Sequence, residues 1–133
     1  MKRIVISSVV LFVVSMLLGF VVHALLLHGE YEASGLMRPL EDQNTKFPFM
    51  LLAHVMIAVG FTLIYRRGRE DKPWLGQGVR FGLLWSFASL IPTYLIYHAV
   101  MPFELGLTSK QIAFDTVAIV LLGVVVAAVN KES

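Results

Sequence analysis

"IVISSVVLFVVSMLLGFVVHALL", residues 4–26, contains no Lys, Arg, Asp or Glu, and its reading decides the fold. A helix needs about 20 apolar residues to cross a ~30 Å hydrocarbon core, and it satisfies every backbone N–H and C=O within itself. The run meets both demands. Three more stretches of the same kind follow, so the chain is predicted to form four transmembrane helices at about 4–27, 48–65, 79–101 and 111–129. Little chain remains for anything else, and residues 1–133 are read as one all-α domain, an up-down four-helix bundle.

Composition agrees. With 57% hydrophobic and only 15% charged residues, a chain of 133 residues has too few charges to clothe a water-soluble surface. The sequence has no cysteine, which removes disulfide, thiolate-metal and iron–sulfur chemistry from consideration. A pI near 9.1 arises from few charges and calls for no nucleic-acid partner. The basic start "MKR" resembles a signal peptide, but the apolar run exceeds the usual 7–15 residues and no small-x-small cleavage pattern follows, so a retained helix is expected.

Basic residues then set the orientation. Lys2, Arg3, Arg66, Arg67, Arg69, Lys72, Arg80 and Lys131 fall on one side of the predicted spans, against Arg38, Lys46 and Lys110 on the other. The positive-inside rule puts the first group, and both termini, in the cytoplasm. "YRRGREDKPWLGQG", residues 65–78, becomes a cytoplasmic turn with Tyr65 and Trp74 as interfacial anchors. The localisation expected is the inner (plasma) membrane of a bacterium, multi-pass, with the lipid bilayer as one partner.

Small and polar residues indicate which faces meet, because apolar surface alone does not drive helices together in lipid. The stripes are Ser8, Ser15, Gly19 and His23; His54, Ala58 and Thr62; Gly78, Gly82, Ser86, Ser89, Thr93 and Tyr97; and Asp115, Gly123 and Ala127. Gly19, Ala58, Gly78, Gly82, Ser86 and Gly123 are the predicted packing positions. Pro92 removes a backbone hydrogen bond inside the third span, which predicts a kink with the Ala88 carbonyl re-satisfied by Ser89 or Thr93.

Depth along the helices gathers His23, His54, His98 and Asp115 in the outer third, with His28, Glu30, Glu32, Tyr94 and Tyr97 bordering the same mouth. Ionisable groups at membrane depth are costly and usually turn inward to a partner. Imidazole with carboxylate suits a transition metal, and two histidines from different helices suit a b-type haem. Met37, Met50 and Met101 would suit copper(I). Against these stands plain packing, in which His54 and Asp115 are hydrogen-bonded glue between helices and His28 and His98 sit at the water interface. His23 and His28 are five apart and do not form a chelating i, i+4 pair, so no cofactor is expected from spacing alone.

No nucleophile elbow, phosphate loop or His-Glu-x-x-His motif is present, which argues against an enzyme. The layout of Gly19, the "LLLHG" stretch at residues 25–29 and "GQGVRFGLLWSF" at 76–87 resembles a domain-of-unknown-function family of small four-helix bacterial membrane proteins. That family's Gly-x-x-Trp-Tyr motif corresponds to the stretch from Gly19 to His23, without the Trp-Tyr pair. The resemblance implies a fold and no activity. The expected function is an accessory or structural subunit that packs on other membrane subunits or on itself, with metal or haem binding as the alternative and a small oligomeric channel or transporter as a third.

Overall fold

The computed structural model describes residues 1–131, and every regular element among them is helical. Helix α1 (Lys2–Gly19) continues into a π-helical turn (Phe20–Leu26), and a short α2 (His28–Ser34) follows. Then come α3 (Leu40–Gly68), α4 (Trp74–Trp85), a second π turn (Ser86–Leu90), α5 (Ile91–Val100) and α6 (Leu105–Asn130). Counting each π turn with its neighbours gives four helices long and apolar enough to cross a membrane: Lys2–Leu26, Leu40–Gly68, Trp74–Val100 and Leu105–Asn130.

Contacts between ends fix the directions. Ser7, near the start of α1, meets Thr62 near the end of α3 and Asn130 at the end of α6, so α1 runs opposite to both. Gly78 lies against Gly123 and Ala127, and Tyr94 against Asp115, so the third span also runs opposite to α6. The bundle is therefore up-down, and α6 packs against each of the other three spans.

The helices begin earlier than the apolar runs. Residues 40–47, ahead of the predicted apolar span, are the first two turns of α3, with Glu41 and Asp42 placed favourably at the positive end of the helix dipole. Asp42 pairs with Arg38 at 2.9 Å and Lys46 at 3.4 Å, each four residues away along the chain. Pro48, a natural helix start by sequence, lies inside α3 instead. The segment between the first two predicted spans also holds α2, which stops at Gly35, whose φ of +66° is open to glycine at little cost.

α4 and α6 approach most closely, at a glycine seam. A Cβ on Gly78 would lie 2.6 Å from the Gly123 carbonyl oxygen, and one on Gly82 would lie 2.6 Å from the Val120 Cα. Gly123 likewise abuts Gly78. Such contacts let backbones touch, the geometry small residues provide in lipid. Beside the seam, Phe61 on α3 stacks edge-on against Phe81 at 4.6 Å and Trp85 at 5.0 Å, in a core with Leu11, Ala58, Leu122 and Val126. A smaller cluster of Val22, Leu27 and Leu107 packs under Tyr31 of α2.

Two of the expected stripes change. In α1 the buried serine is Ser7, in line with Leu11 and Ser15, whereas Ser8 lies partly off the core. In the third span Gly78, Gly82 and Ser86 are buried as expected, but Ser89, Thr93 and Tyr97 are exposed. The π turn between them is the cause, because its wider turn changes the rotation per residue and shifts the register of all that follows. The inward line continues through Leu90, Tyr94 and His98, all half-buried. Thr93 donates its hydroxyl to the Ser89 carbonyl at 2.7 Å, and not to Ala88.

Candidate functional site

One end of the bundle carries a continuous chain of polar side chains built from four elements. The π turn that closes the first span supplies His23, α2 supplies Tyr31, α5 supplies Tyr94, and α6 supplies Gln111 and Asp115, which are one turn apart on one face. The His23 Nδ1 lies 2.6 Å from the Tyr31 hydroxyl, and its Nε2 lies 3.2 Å from Asp115 Oδ1. Tyr94 donates its hydroxyl to Asp115 Oδ2. Gln111 donates its amide to the Tyr31 oxygen at 3.1 Å.

The donors and acceptors can be ordered. An ionised carboxylate only accepts, so His23 Nε2 carries a proton toward Asp115. With Gln111 donating to Tyr31, the phenol hydrogen is free to donate to Nδ1 of a neutral imidazole. If His23 is protonated, Nδ1–H donates to the phenol oxygen instead. The contact thus persists in both charge states of His23, and Asp115 keeps two donors in each. Asp115 is buried at 9% exposure while the His23 side chain is 37% exposed, so the surroundings reach the cluster through His23.

α2 is held over this chain at a second point, the ion pair of Glu30 with Lys110 at the start of α6. The Lys110 ammonium holds the Glu30 carboxyl below the usual carboxylate range. Burial pushes the Tyr31 phenol above its ordinary value, against the lowering hydrogen bond from Gln111.

The remaining predicted residues have other partners. His54 Nδ1 bonds the Ser15 hydroxyl at 2.9 Å, and Gly19 makes room for its ring, since a Cβ there would sit 3.4 Å from the imidazole. His98 Nδ1 bonds the Phe103 backbone carbonyl at 2.8 Å, tying the end of α5 to the following turn. His28 pairs with Glu32 on exposed α2 at 3.2 Å, and Tyr97 is exposed. Of the four residues expected to converge, His23 and Asp115 meet, while His54 and His98 each bond elsewhere. Among the described residues, no three His, Asp or Glu side chains are grouped so as to hold a metal ion.

Tyr31 and Gln111 were not foreseen. Gln111 was legible in principle, four residues before Asp115 on the same helix face; Tyr31 was not, because its partner is set by how α2 folds back.

The opposite end holds a second buried knot that sequence reasoning missed. Asn130 donates to the Ser7 hydroxyl at 2.9 Å and to the Val126 carbonyl at 2.8 Å, and accepts from Arg66 at 2.7 Å. Ser7 bonds Thr62 at 3.1 Å, and Arg69 donates to the Asn130 carbonyl at 2.8 Å. Beyond it, Gln77 secures the turn between α3 and α4 by bonding the backbone of Glu70 and Lys72. Lys72 and Arg80 beside Glu70 hold its carboxyl below the usual range.

No family model, curated protein or solved structure matches this chain. The likeness to small four-helix bacterial membrane proteins therefore stands on the residues quoted for it alone.

Proposed function

We propose that the protein is a multi-pass inner-membrane protein of a bacterium, both termini in the cytoplasm, acting as an accessory or structural subunit of a larger membrane assembly. The observation that carries this reading is the outward face of the third span. Ser89 is exposed there near the middle of the span, where lipid offers its hydroxyl no hydrogen-bond partner, and exposed Thr93 and Tyr97 follow it toward the end of the span. A protein partner would supply what lipid cannot. Meanwhile His23, His54 and Asp115 have side-chain partners on other helices, which fits interhelical glue, and His98 is held by the turn after α5.

A transport path through one copy has poor support, because fully buried Leu11, Phe61 and Leu122 fill the core between the two polar ends. Cofactor binding is the second reading, favoured by the contact of His23 with Asp115 near a surface. Gentle detergent extraction, followed by identification of co-purifying chains, elemental analysis and a visible spectrum, separates the two. Stoichiometric larger membrane chains with a metal-free, colourless sample are expected. A stoichiometric metal or haem band that disappears in His23→Ala, with no partner chain, would overturn the subunit reading.

A further inference from the structure

A cleft of about 480 Å³ lies beside the Asn130 knot, between the turn that joins α3 to α4 and the last residues of α6. Ligand pockets run from about 300 to 1,000 Å³, so the space suits a small polar group. Its floor is fixed. Tyr65, Gln77 and Asn130 are buried there, and Gln77 uses both ends of its amide on the backbone of Glu70 and Lys72. A floor already bonded costs little to order when a ligand enters. One span ends at Gly68, the next begins at Trp74 and the last ends at Asn130, so the cleft opens where a bilayer passes from hydrocarbon to headgroups. Trp74, on its wall, is a side chain suited to that level.

The rim carries charge of both signs, Arg69, Lys72 and Lys131 against Glu70 and Asp71. Glu70 is matched, by Lys72 within the cleft and by Arg80 at 3.6 Å. Two groups are not. Among the described residues Lys131 meets no carboxylate, its ammonium lying 5.2 Å from the centre of the Trp74 ring, and exposed Asp71 meets no basic side chain. One cleft thus presents a cation and an anion, each without an opposite charge. A lone phosphate would bring its charge against Asp71 and Glu70 as well as Lys131, and a lone amine would meet Lys131 and Arg69 as well as Asp71. A group bearing both a phosphate and a primary ammonium answers each with its opposite.

We propose that this cleft binds a phosphoethanolamine group, its phosphate toward Lys131 on the Trp74 ring and its ammonium toward Asp71. The level of the cleft favours the headgroup of an aminophospholipid as the source, a soluble phosphoethanolamine ester being the other. The inference goes beyond the subunit reading and does not depend on it. It needs only that the spans lie in a membrane.

Full-length protein in detergent is titrated with short-chain phosphatidylethanolamine and with phosphatidylglycerol of the same chains, and bound lipid is counted by native mass spectrometry. Phosphatidylethanolamine should bind about tenfold more tightly, the effect of one charge-assisted hydrogen bond. Asp71→Asn should erase that preference and leave phosphatidylglycerol bound at least as well as before, while Lys131→Gln should weaken both lipids about tenfold. Both side chains are exposed, so neither change touches the buried floor. Glycerophosphoethanolamine, the same group without chains, assigns the source: binding as tight as the lipid's keeps the site and gives it to a soluble ester, and much weaker binding gives it to the lipid. Equal affinity for the two lipids, or a preference that survives Asp71→Asn, would overturn the proposal. So would Lys131→Gln leaving both affinities unchanged. None of these outcomes bears on partner chains, which extraction and identification test by themselves.

Discussion

At the arginine end of the bundle, Ser7, Thr62, Asn130 and Arg66 join α1, α3 and α6 through a knot whose centre, Asn130, is 1% exposed. At the histidine end, His23, Tyr31, Tyr94, Gln111 and Asp115 join the first span's π turn, α2, α5 and α6, with His23 reaching the surface. Both hold helices together by side-chain hydrogen bonds, the adhesive available where apolar surface gives no drive. They differ in chemistry. Ser, Thr, Asn and Arg exchange no proton over the working pH range, so the first knot is a fixed joint. The second is built from imidazole, carboxylate, amide and phenol groups and is open to its surroundings at His23, whose side chain is 37% exposed. One small fold thus has a closed fastening at one end and a partly open one at the other.

The largest expected effect is at the fixed joint. Asn130→Ala strands Arg66 and Ser7 where water cannot easily replace the lost partner, and should cost about 3 kcal/mol. Unfolding by denaturing detergent in bicelles measures it, and a loss no greater than at the other end would break the comparison. Asp115→Ala removes the acceptor of both His23 and Tyr94, but water can reach His23, so about 2 kcal/mol is expected. The same titration run on both variants ranks them.

The pH dependence sharpens the contrast. Tyr31 is raised by burial, so its contribution to docking α2 is complete below about pH 10 and is lost as pH rises through the docked-state value. Glu30 is lowered, so its contribution is present above about pH 4.5 and is lost as pH falls through its depressed value. Protection of amides 28–34 against exchange, taken relative to the intrinsic rate at each pH, should therefore be flat across neutral pH and fall at both extremes, while protection around Asn130 stays level. Tyr31→Phe should abolish the alkaline arm alone; an arm that survives it would place the responsive group elsewhere. The smallest effect is expected for Gln111→Leu, which removes one donor to Tyr31 and should cost about 0.6 kcal/mol, a value typical of single interhelical bonds in membranes. A loss as large as that of Asp115→Ala would show that Gln111 organises the cluster instead of supporting it.

Legibility in the sequence followed the range of the interaction. His23 and Asp115 were readable as inward-facing because an ionisable group in an apolar span has few other options. Gly78, Gly82 and Gly123 were readable because close backbone contact needs a missing side chain. Asn130 was not, since an amide at the end of an apolar run looks the same whether it meets water or Ser7. Nor was the outward turn of Ser89 and Thr93, because period counting assumes a constant rotation per residue and a π turn breaks that assumption.

The sequence by itself determined four long apolar helices, the glycine contacts and the gathering of histidines toward one end. These follow from local composition and the length of a span. Only the tertiary structure decided that His23 meets Asp115 while His54 and His98 bond elsewhere, that α2 folds back to place Tyr31 on His23, and that half of a polar stripe faces outward. Each depends on the rotation of one helix against another, which no single helix encodes because it is set by the packing of all four.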